Sequence, residues 1–394
     1  MDKFLAKTLA FLGSFKLAVA LFLLLFWLTF WGTLAQASMS LYDVQLEYFE
    51  SLVVIFWWGD FPIPMIGGYL LLTILFVNLL VGGLLRMRYG KSTLGILIAH
   101  IGVLTLLFGS YVEHSYATKG QMTLYEGQRS DQYISYNEWE VAIEGPGANG
   151  GVREYVLPGK ELYGLKGTKT ARFKLAALPF DVVIGHYSRN SRIGPSSPAS
   201  APGTVVEPFA LKKLPDVGAG DLINLPGAIV TLSGGEAGET TRAILWGGTR
   251  APWVHKMGGK TYSFLLRRRT WDLPFTIQLD RFVHKRYAGT GMAKEFSSFI
   301  TKTEDGSEQK HHITMNAPLR HEGYTFYQSG WGPQDAPEGA KLFSTFSVVQ
   351  NPSDQVPLIA CIIISIGLLL HYLRKLYLHL KSESRRQAQV GSQA

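Results

Sequence analysis

The stretch LGILIAHIGVLTLLFGSYV, residues 94–112, decides the fold class because it carries no charged residue and holds one histidine, His100, near its middle. A run of about 18 or more mostly apolar residues is long enough to cross the hydrocarbon core of a bilayer as a helix. An unpaired polar group in hydrocarbon costs several kcal/mol. His100 therefore needs either a hydrogen-bond partner or a function.

The rest of the chain alternates between stretches of this kind and stretches of ordinary polarity. Its 394 residues are 47% hydrophobic, which is high for a soluble protein. Four transmembrane helices are predicted, none with Asp, Glu, Lys or Arg, at about 17–37, 65–85, 93–112 and 356–373. The first ends in AQA, which imitates a signal-peptidase site, but its apolar stretch of about 20 residues exceeds the usual signal-peptide core of about 7–15. It is predicted to remain as a span.

The distribution of Lys and Arg predicts how the spans are oriented, because short basic loops mark the cytoplasmic side. The loop after the first span has no basic residue. This asymmetry predicts a multi-pass protein of the cytoplasmic (inner) membrane with both termini cytoplasmic, a basic cytoplasmic tail at 374–394, and residues 113–355 on the extracytoplasmic, periplasmic side. The basic residues on the cytoplasmic side are Lys3, Lys7, Lys16, Arg86, Arg88, Lys91, Arg374, Lys375, Lys381, Arg385 and Arg386.

The charge excludes nucleic acid as a partner. The formal net charge of +8 arises from the segments that flank the spans, so the remainder is close to neutral. The outer run Arg267, Arg268 and Arg269 is predicted to be a solvated strand edge. Cys361, the single cysteine, is predicted to be a small packing residue in the fourth span. One cysteine allows no disulfide and no Cys-x-x-Cys pair, which excludes a thiol oxidoreductase and a c-type cytochrome.

Residues 113–355 are predicted to form a large all-β domain, a sandwich or an open barrel of antiparallel strands. Asp305-Gly306 predicts a tight hairpin turn. The segment 188–226 is rich in Ser, Pro, Ala and Gly and is predicted to be an inserted loop or partly mobile arm. The strand-like runs are QMTLYEG, WEVAIEG, FDVVIGHY, AIVTLSGG, TRAILWGG, FTIQLDRF, EFSSFITK, HHITMN, YTFYQS and FSTFSVVQ.

Aromatic and histidine residues are the candidates for a site. Trp57 and Trp58 precede the second span on its outer side, where tryptophans form the interfacial belt; they also suit a groove for a flat macrocycle. His311 and His312 are neighbours on a predicted strand, so they point to opposite faces and cannot bind one metal together. The remaining outer histidines are predicted to have surface, interfacial or hydrogen-bonded roles: His114, His186, His255, His284 and His321.

His100 is the strongest candidate, because it lies roughly 12 Å into its span at 1.5 Å per residue, beyond easy snorkelling. Three roles are open: an interhelical hydrogen bond to Asn78, a haem or metal ligand, and a proton relay. His371 lies near the cytoplasmic end of the fourth span, where snorkelling accounts for it.

Several motifs carry a family resemblance. AHIGVLTLLFGSYV leading into KGQMTLYEGQ, then YAGTGMAKEFSSFI, and above all ITMNAPLRHEGYTFYQSGWGP, resemble the ResB (also CcsB) family of System II cytochrome c biogenesis. The four spans around a β domain also resemble this family. The resemblance covers essentially the whole chain except 188–226 and the tail after about Lys381.

The resemblance implies a subunit of a System II cytochrome c synthase that handles haem b in transit and supports its covalent attachment to apocytochrome c. The chain is then one half of a haem lyase (holocytochrome c synthase), and a ResC/CcsA-type membrane protein is the other. By position, His100 is a haem axial ligand, with metal contact only through the haem iron, and pairs with a histidine of that partner. The outer domain would receive apocytochrome c or a thioredoxin-like thiol reductant. No catalytic residue can be assigned.

Two other classes remain open from the sequence. A b-type haem electron-transfer subunit would use His100 and His371 as a pair, but their depths differ by roughly 8 Å at 1.5 Å per residue. A cofactor-free membrane scaffold would bind partner proteins through its β domain. Its interface in the membrane would use the small residues of spans two and three, which include Gly82, Gly83, Gly95 and Gly102.

Overall fold

The computed structural model describes residues 2–147, 150–165, 167–175, 178–198, 200–218, 224–234, 240–287, 289, 293–335, 337 and 339–391. The chain divides into two compact units, residues 1–118 with 351–394, and residues 119–350. The first unit is mainly helical, and the second is built almost entirely from β-strands.

Four helices are long and apolar enough to cross a membrane, namely Phe15–Ala35, Gly68–Leu85, Leu94–Tyr116 and Val356–Gln387. Each coincides with one predicted span. The short first helix was not predicted, and the last helix continues past the predicted end at Leu373 through most of the tail. In chain order the helices are α1 Asp2–Leu12, α2 Phe15–Ala35, α3 Leu41–Val44, the π-helical π1 Gln45–Phe49, α4 Gly68–Asn78, the π-helical π2 Leu79–Leu85, α5 Leu94–Tyr116, α6 Gly159–Leu162 and α7 Val356–Gly391.

Small residues bring α5 and α7 into close contact. A Cβ placed on Gly95 would lie 2.5 Å from the carbonyl oxygen of Gly367, and one placed on Gly367 would lie 2.5 Å from the amide nitrogen of Ala99. Farther along, Gly102 packs in the same way against Ile364. Glycine at these positions lets the two backbones approach closely, as is common between membrane helices.

The scaffold hypothesis expected four glycines to form an interface with a partner, but the chain itself already covers them. Gly95 and Gly102 contact α7. The other two lie in π2, where Gly82 packs on the backbone of Gly13 and Gly83 packs on the imidazole of His100. The interface predicted on these residues is therefore wrong, because their small size serves packing within the chain.

The strands pair antiparallel throughout. Two of them form a hairpin in the first unit, and the second unit holds a ten-stranded, a four-stranded and a three-stranded sheet. The strands are β1 Val53–Trp58, β2 Phe61–Ile66, β3 Thr118–Tyr125, β4 Arg129–Pro146, β5 Val152–Pro158, β6 Thr170–Phe173, β7 Asp181–Ser188, β8 Ser191–Pro195, β9 Val205–Val206, β10 Phe209–Lys213, β11 Gly227–Ser233, β12 Thr240–Trp246, β13 Trp253–Met257, β14 Lys260–Arg286, β15 Ala293–Glu304, β16 Ser307–Thr314, β17 Leu319–His321, β18 Tyr324–Gly332 and β19 Phe343–Gln350.

The β unit combines the two predicted architectures. In one core, Val141 and Phe264 of the large sheet pack with Val182 and Val230 of the four-stranded sheet β12-β11-β7-β6, which is a sandwich. In the other core, strands from both ends of the large sheet contribute to one cluster, so that sheet curls like an open barrel. The long strands β4 and β14 pass through both cores.

The hairpin predicted at Asp305-Gly306 is present. Strands β15 and β16 pair as far as Glu304 opposite Ser307, and both turn residues have positive φ, 49° at Asp305 and 76° at Gly306. This backbone conformation matches the right-handed twist of the flanking strands. Each of the ten strand-like runs also overlaps a strand, and five of them extend one or two residues beyond its bounds.

The segment 188–226 departs from the prediction of an inserted loop or partly mobile arm. Its described residues contain β8, β9 and β10, which form the three-stranded sheet β8-β10-β9. Trp246 ties this sheet to β12, because its indole Nε1–H donates to the carbonyl oxygen of Ser191 at 2.9 Å. The strands are short and interrupted by Pro and Ser, so the composition resembles that of a loop.

The arginine run is paired, and only Arg269 of its three residues is exposed, so the prediction of a solvated strand edge is met only in part. Arg267 contacts Glu140 at 3.0 Å and Glu154 at 2.9 Å. Arg268 lies over the ring of Trp139, and Arg269 pairs with Glu138 at 2.7 Å. These cross-strand carboxylates neutralise the charge of the run.

Cys361 also differs from its prediction as a packing residue, since its side chain is exposed on α7. The α7 residues that meet the glycines of α5 lie on one face of the helix: Val356, Ala360, Ile364, Gly367 and His371. Cys361 therefore has no packing role in the described part of the chain.

Candidate functional site

The imidazole of His100, in α5, makes one hydrogen bond to the described residues of the membrane unit. Its Nδ1 lies 3.2 Å from the carbonyl oxygen of Gly83. Because a carbonyl oxygen only accepts, Nδ1 carries the proton and donates it. This bond fixes the tautomer and leaves Nε2 with a free lone pair.

Two features of π2 make this contact possible. A π-helical turn bonds each carbonyl five residues along the chain instead of four, and such turns occur frequently at functional sites. Gly83 also lacks a side chain where the imidazole sits, since a Cβ there would lie 2.7 Å from Nδ1 of His100. Sequence reasoning did not find this pair, although Gly82-Gly83 inside a span was a visible signal.

The second ring nitrogen of His100, Nε2, has no hydrogen-bond partner among the described residues. It is not fully buried either, since it is not one of their buried side-chain atoms that lack a partner. A histidine that binds a metal through one ring nitrogen commonly donates the other N–H to a carbonyl or carboxylate, which orients the ring. The arrangement of His100 and Gly83 fits this pattern. It presents an imidazole whose Nε2 could coordinate iron.

Asn78 does not serve as the partner of His100, contrary to one of the predicted roles. Its side-chain amide donates to the carbonyl oxygens of Leu12 at 2.6 Å and Ser14 at 3.1 Å. These bonds supply donors to two carbonyl oxygens at the break between α1 and α2, where the helical hydrogen bonds are interrupted. Asn78 is therefore a structural residue of the membrane unit.

His371 stands beside Gly95, whose added Cβ would lie 2.9 Å from the Cβ of His371. Gly95 precedes His100 by five residues, so the two histidines are offset by about 7.5 Å along α5 at 1.5 Å per residue. No hydrogen bond or ring contact joins them within the described part of the chain, and the ring of His371 contacts Tyr372 instead. This geometry does not favour a pair of axial ligands within one chain.

The predicted haem groove at Trp57 and Trp58 falls on the β1–β2 hairpin. The side chain of Trp57 is largely exposed, and that of Trp58 lies outside the described side chains. The hairpin contacts α2 through Phe56, whose ring lies 4.4 Å from that of Trp31. A role of these tryptophans toward haem stays a prediction.

The β unit holds an ion cluster that sequence reasoning missed. The ammonium of Lys302, whose side chain is 1% exposed, donates to Glu304 Oε2 at 2.8 Å and lies 2.8 Å from His321 Nε2. Glu304, His321 and Glu322 also offer ligand atoms within 4.8 Å of one another. The buried ammonium already supplies a cation there, so we assign the cluster a structural role.

Neighbours of this cluster have shifted pKa values. The hydrogen bond from Lys302, followed by that from His321, holds the pKa of Glu304 below its usual range despite partial burial. Burial, reinforced by the charges of Lys302 and His321, lowers the pKa of His311. Its Nε2 is buried and unpaired within the described residues. His312, on the opposite face of β16, stacks on Phe299.

These shifts predict that acid destabilises the β unit in two steps. The folded pKa of His311 lies below its unfolded value of about 6.5, so the unfolded state takes up the proton first and stability falls as the pH drops below that value. The depressed pKa of Glu304 adds a second loss below about pH 4.5. His311→Phe should remove the first step. Thermal unfolding midpoints from about pH 7.5 to 5.5 would measure it, and equal slopes in both proteins would contradict the assignment.

Four helices that are long and apolar enough to cross a membrane, together with a large all-β unit, indicate a membrane protein that carries a β domain. Residues 245–342 match the model of the ResB-like family. The match confirms the resemblance to the ResB/CcsB family over the part of the β unit from the end of β12 to the residue before β19. It does not include His100. No curated protein matches the chain.

Proposed function

We propose that this chain handles haem during System II cytochrome c biogenesis and supports haem attachment to apocytochrome c. The match of residues 245–342 to the ResB-like family supports a role in cytochrome c biogenesis. The observation that carries the finer proposal is the hydrogen bond from His100 Nδ1 to the Gly83 carbonyl, which leaves Nε2 available. Imidazole is a common axial ligand of haem iron.

The chain supplies one ligand, so haem held at His100 needs a second ligand from elsewhere. The separation of His371 from His100 supports a partner as its source, and a ResC/CcsA-type membrane protein fits this role. Haem is cargo here rather than a resident cofactor. The protein contributes binding and orientation, while the attachment reaction requires reduced thiols on apocytochrome c.

The proposed location is the inner membrane, with both termini cytoplasmic and the β unit outside. The basic residues that flank the spans support this orientation. In this arrangement the β unit meets apocytochrome c, or the thioredoxin-like reductant that prepares it, on the side where haem is attached.

The test is the absorption spectrum of the complex purified in detergent with its ResC/CcsA-type partner, comparing wild type with His100→Ala. We expect the Soret band to be lost or shifted in the variant and to be restored by added imidazole, which refills the ligand position. Thr105→Ala, a truncation elsewhere on α5, serves as the matched control. An unchanged spectrum in a His100→Ala complex that still assembles would leave the chain as a scaffold.

A further inference from the structure

The hairpin β1–β2 presents apolar side chains that the described residues of its own unit leave uncovered. Trp57 is 61% and Phe61 76% exposed, and Val53, Ile55 and Ile63 are also exposed. Asp60, in the turn, is the single charged residue from 51 to 68. A two-stranded hairpin with this composition is only marginally stable in water, and exposed patches of this kind mark interaction surfaces.

The position of the hairpin on α2 identifies what covers it. Phe56 contacts Trp31, which lies four residues, or about 6 Å, inside the C-terminal end of the membrane helix α2. Trp31 in turn contacts Trp27 and Phe30 on the exposed surface of that helix. The apolar surface of the hairpin thus continues the surface that α2 presents to lipid.

The backbone of β2 is also suited to lipid. The amide of Gly67 donates to the carbonyl oxygen of Leu52. In this register the backbone N–H and C=O positions of the even-numbered residues of β2 point away from β1. Two of these outward positions are Pro62 and Pro64, which have no N–H. The outer edge of β2 therefore lacks two donors that would otherwise be unsatisfied in an apolar environment.

We propose that the β1–β2 hairpin is embedded in the lipid at the membrane boundary, beside the end of α2, as a second kind of membrane contact in addition to the spanning helices. Its occupant is lipid, with acyl chains against Ile55, Trp57 and Phe61 and the turn at Asp60 near the head groups. This inference does not depend on haem binding.

The test uses nitroxide labels on the full chain in phospholipid vesicles, in a Cys361→Ser background that removes the single native cysteine. Labels at Ile55→Cys, Trp57→Cys and Phe61→Cys report accessibility to oxygen, which partitions into lipid, and to a water-soluble nickel complex. Ile366→Cys on α7 provides the lipid reference, and Glu308→Cys on β16 provides the water reference.

We expect the oxygen-to-nickel accessibility ratio at the three hairpin positions to approach that of Ile366→Cys and to exceed that of Glu308→Cys several-fold. A ratio equal to that of Glu308→Cys would place the hairpin in water and overturn the proposal. Low accessibility to both reagents with an immobilised label would also overturn it, by indicating a protein or haem contact.

A second variant tests the outer edge of β2 without changing the labelled positions. Pro64→Ala adds an outward N–H, which is costly in lipid and harmless in water. We therefore expect the ratio at Phe61→Cys to fall in this variant. An unchanged ratio would contradict the lipid environment proposed for the edge of β2.

Discussion

Replacing Gly367 by leucine should separate α5 from α7 and lower the free energy of unfolding by about 3 kcal/mol, near the upper end for overpacking. The atoms that a Cβ would meet are the amide nitrogen of Ala99 at 2.5 Å and the carbonyl oxygen of Gly95 at 2.7 Å. These are backbone atoms of a continuous helix, so they cannot move aside as a flexible side chain can. The whole contact between the two helices must open.

The matched control is Ser365→Leu, which adds the same side chain to an exposed position of α7. Thermal unfolding midpoints in detergent, with elution profiles to detect aggregation, would compare the two variants with wild type. We expect Ser365→Leu to remain close to wild type. Similar losses in both variants would show that the close approach at Gly367 is not what stabilises the helix pair.

The elements that follow from local pattern were predictable from the sequence. Hydrophobic runs of about 18 or more residues identify spans, because the bilayer requires a fixed length. Alternation with β-branched and aromatic residues identifies strands, because side chains alternate between two faces. The turn at Asp305-Gly306 is predictable for a related reason, since positive φ at both central residues restricts the choice of amino acid.

The arrangement of the strands was less predictable because it depends on pairing between distant residues. The long strand β14 serves both a sandwich core and an open-barrel core. Nothing in its local alternation shows where one core ends and the other begins. The small sheet within 188–226 was missed for a different reason, since its shortest strand is only Val205–Val206.

The candidate site was only half predictable. The depth of His100 in an apolar span pointed to a special role, but Asn78, the side chain predicted as its partner, donates elsewhere. The partner is a backbone carbonyl, which no side-chain inventory reveals. The cluster of Lys302, Glu304 and His321 was hidden similarly, because it joins strands that are distant along the sheet order.

Replacing Gly83 by alanine should weaken haem binding about 10- to 100-fold, the range typical when a partner that orients a metal ligand is lost. The added methyl group would lie 2.7 Å from Nδ1 and 3.1 Å from Cγ of His100. The imidazole must turn away, and its hydrogen bond to the Gly83 carbonyl is then lost. Gly83 thus acts as a positioning residue for the ligand, provided that His100 binds haem as proposed.

Haem titration of the purified complex, followed by the Soret band and the reduction potential, would measure this effect. Gly90→Ala is the matched control, because a Cβ there meets only Ser92 Oγ at 3.9 Å. The decisive comparison repeats Gly83→Ala in a His100→Ala background supplied with imidazole. If Gly83 acts through His100, adding Gly83→Ala to the His100→Ala protein should change neither the haem affinity nor the spectrum. A loss of the same size in both backgrounds would instead show a general disturbance of π2, unrelated to the orientation of the ligand.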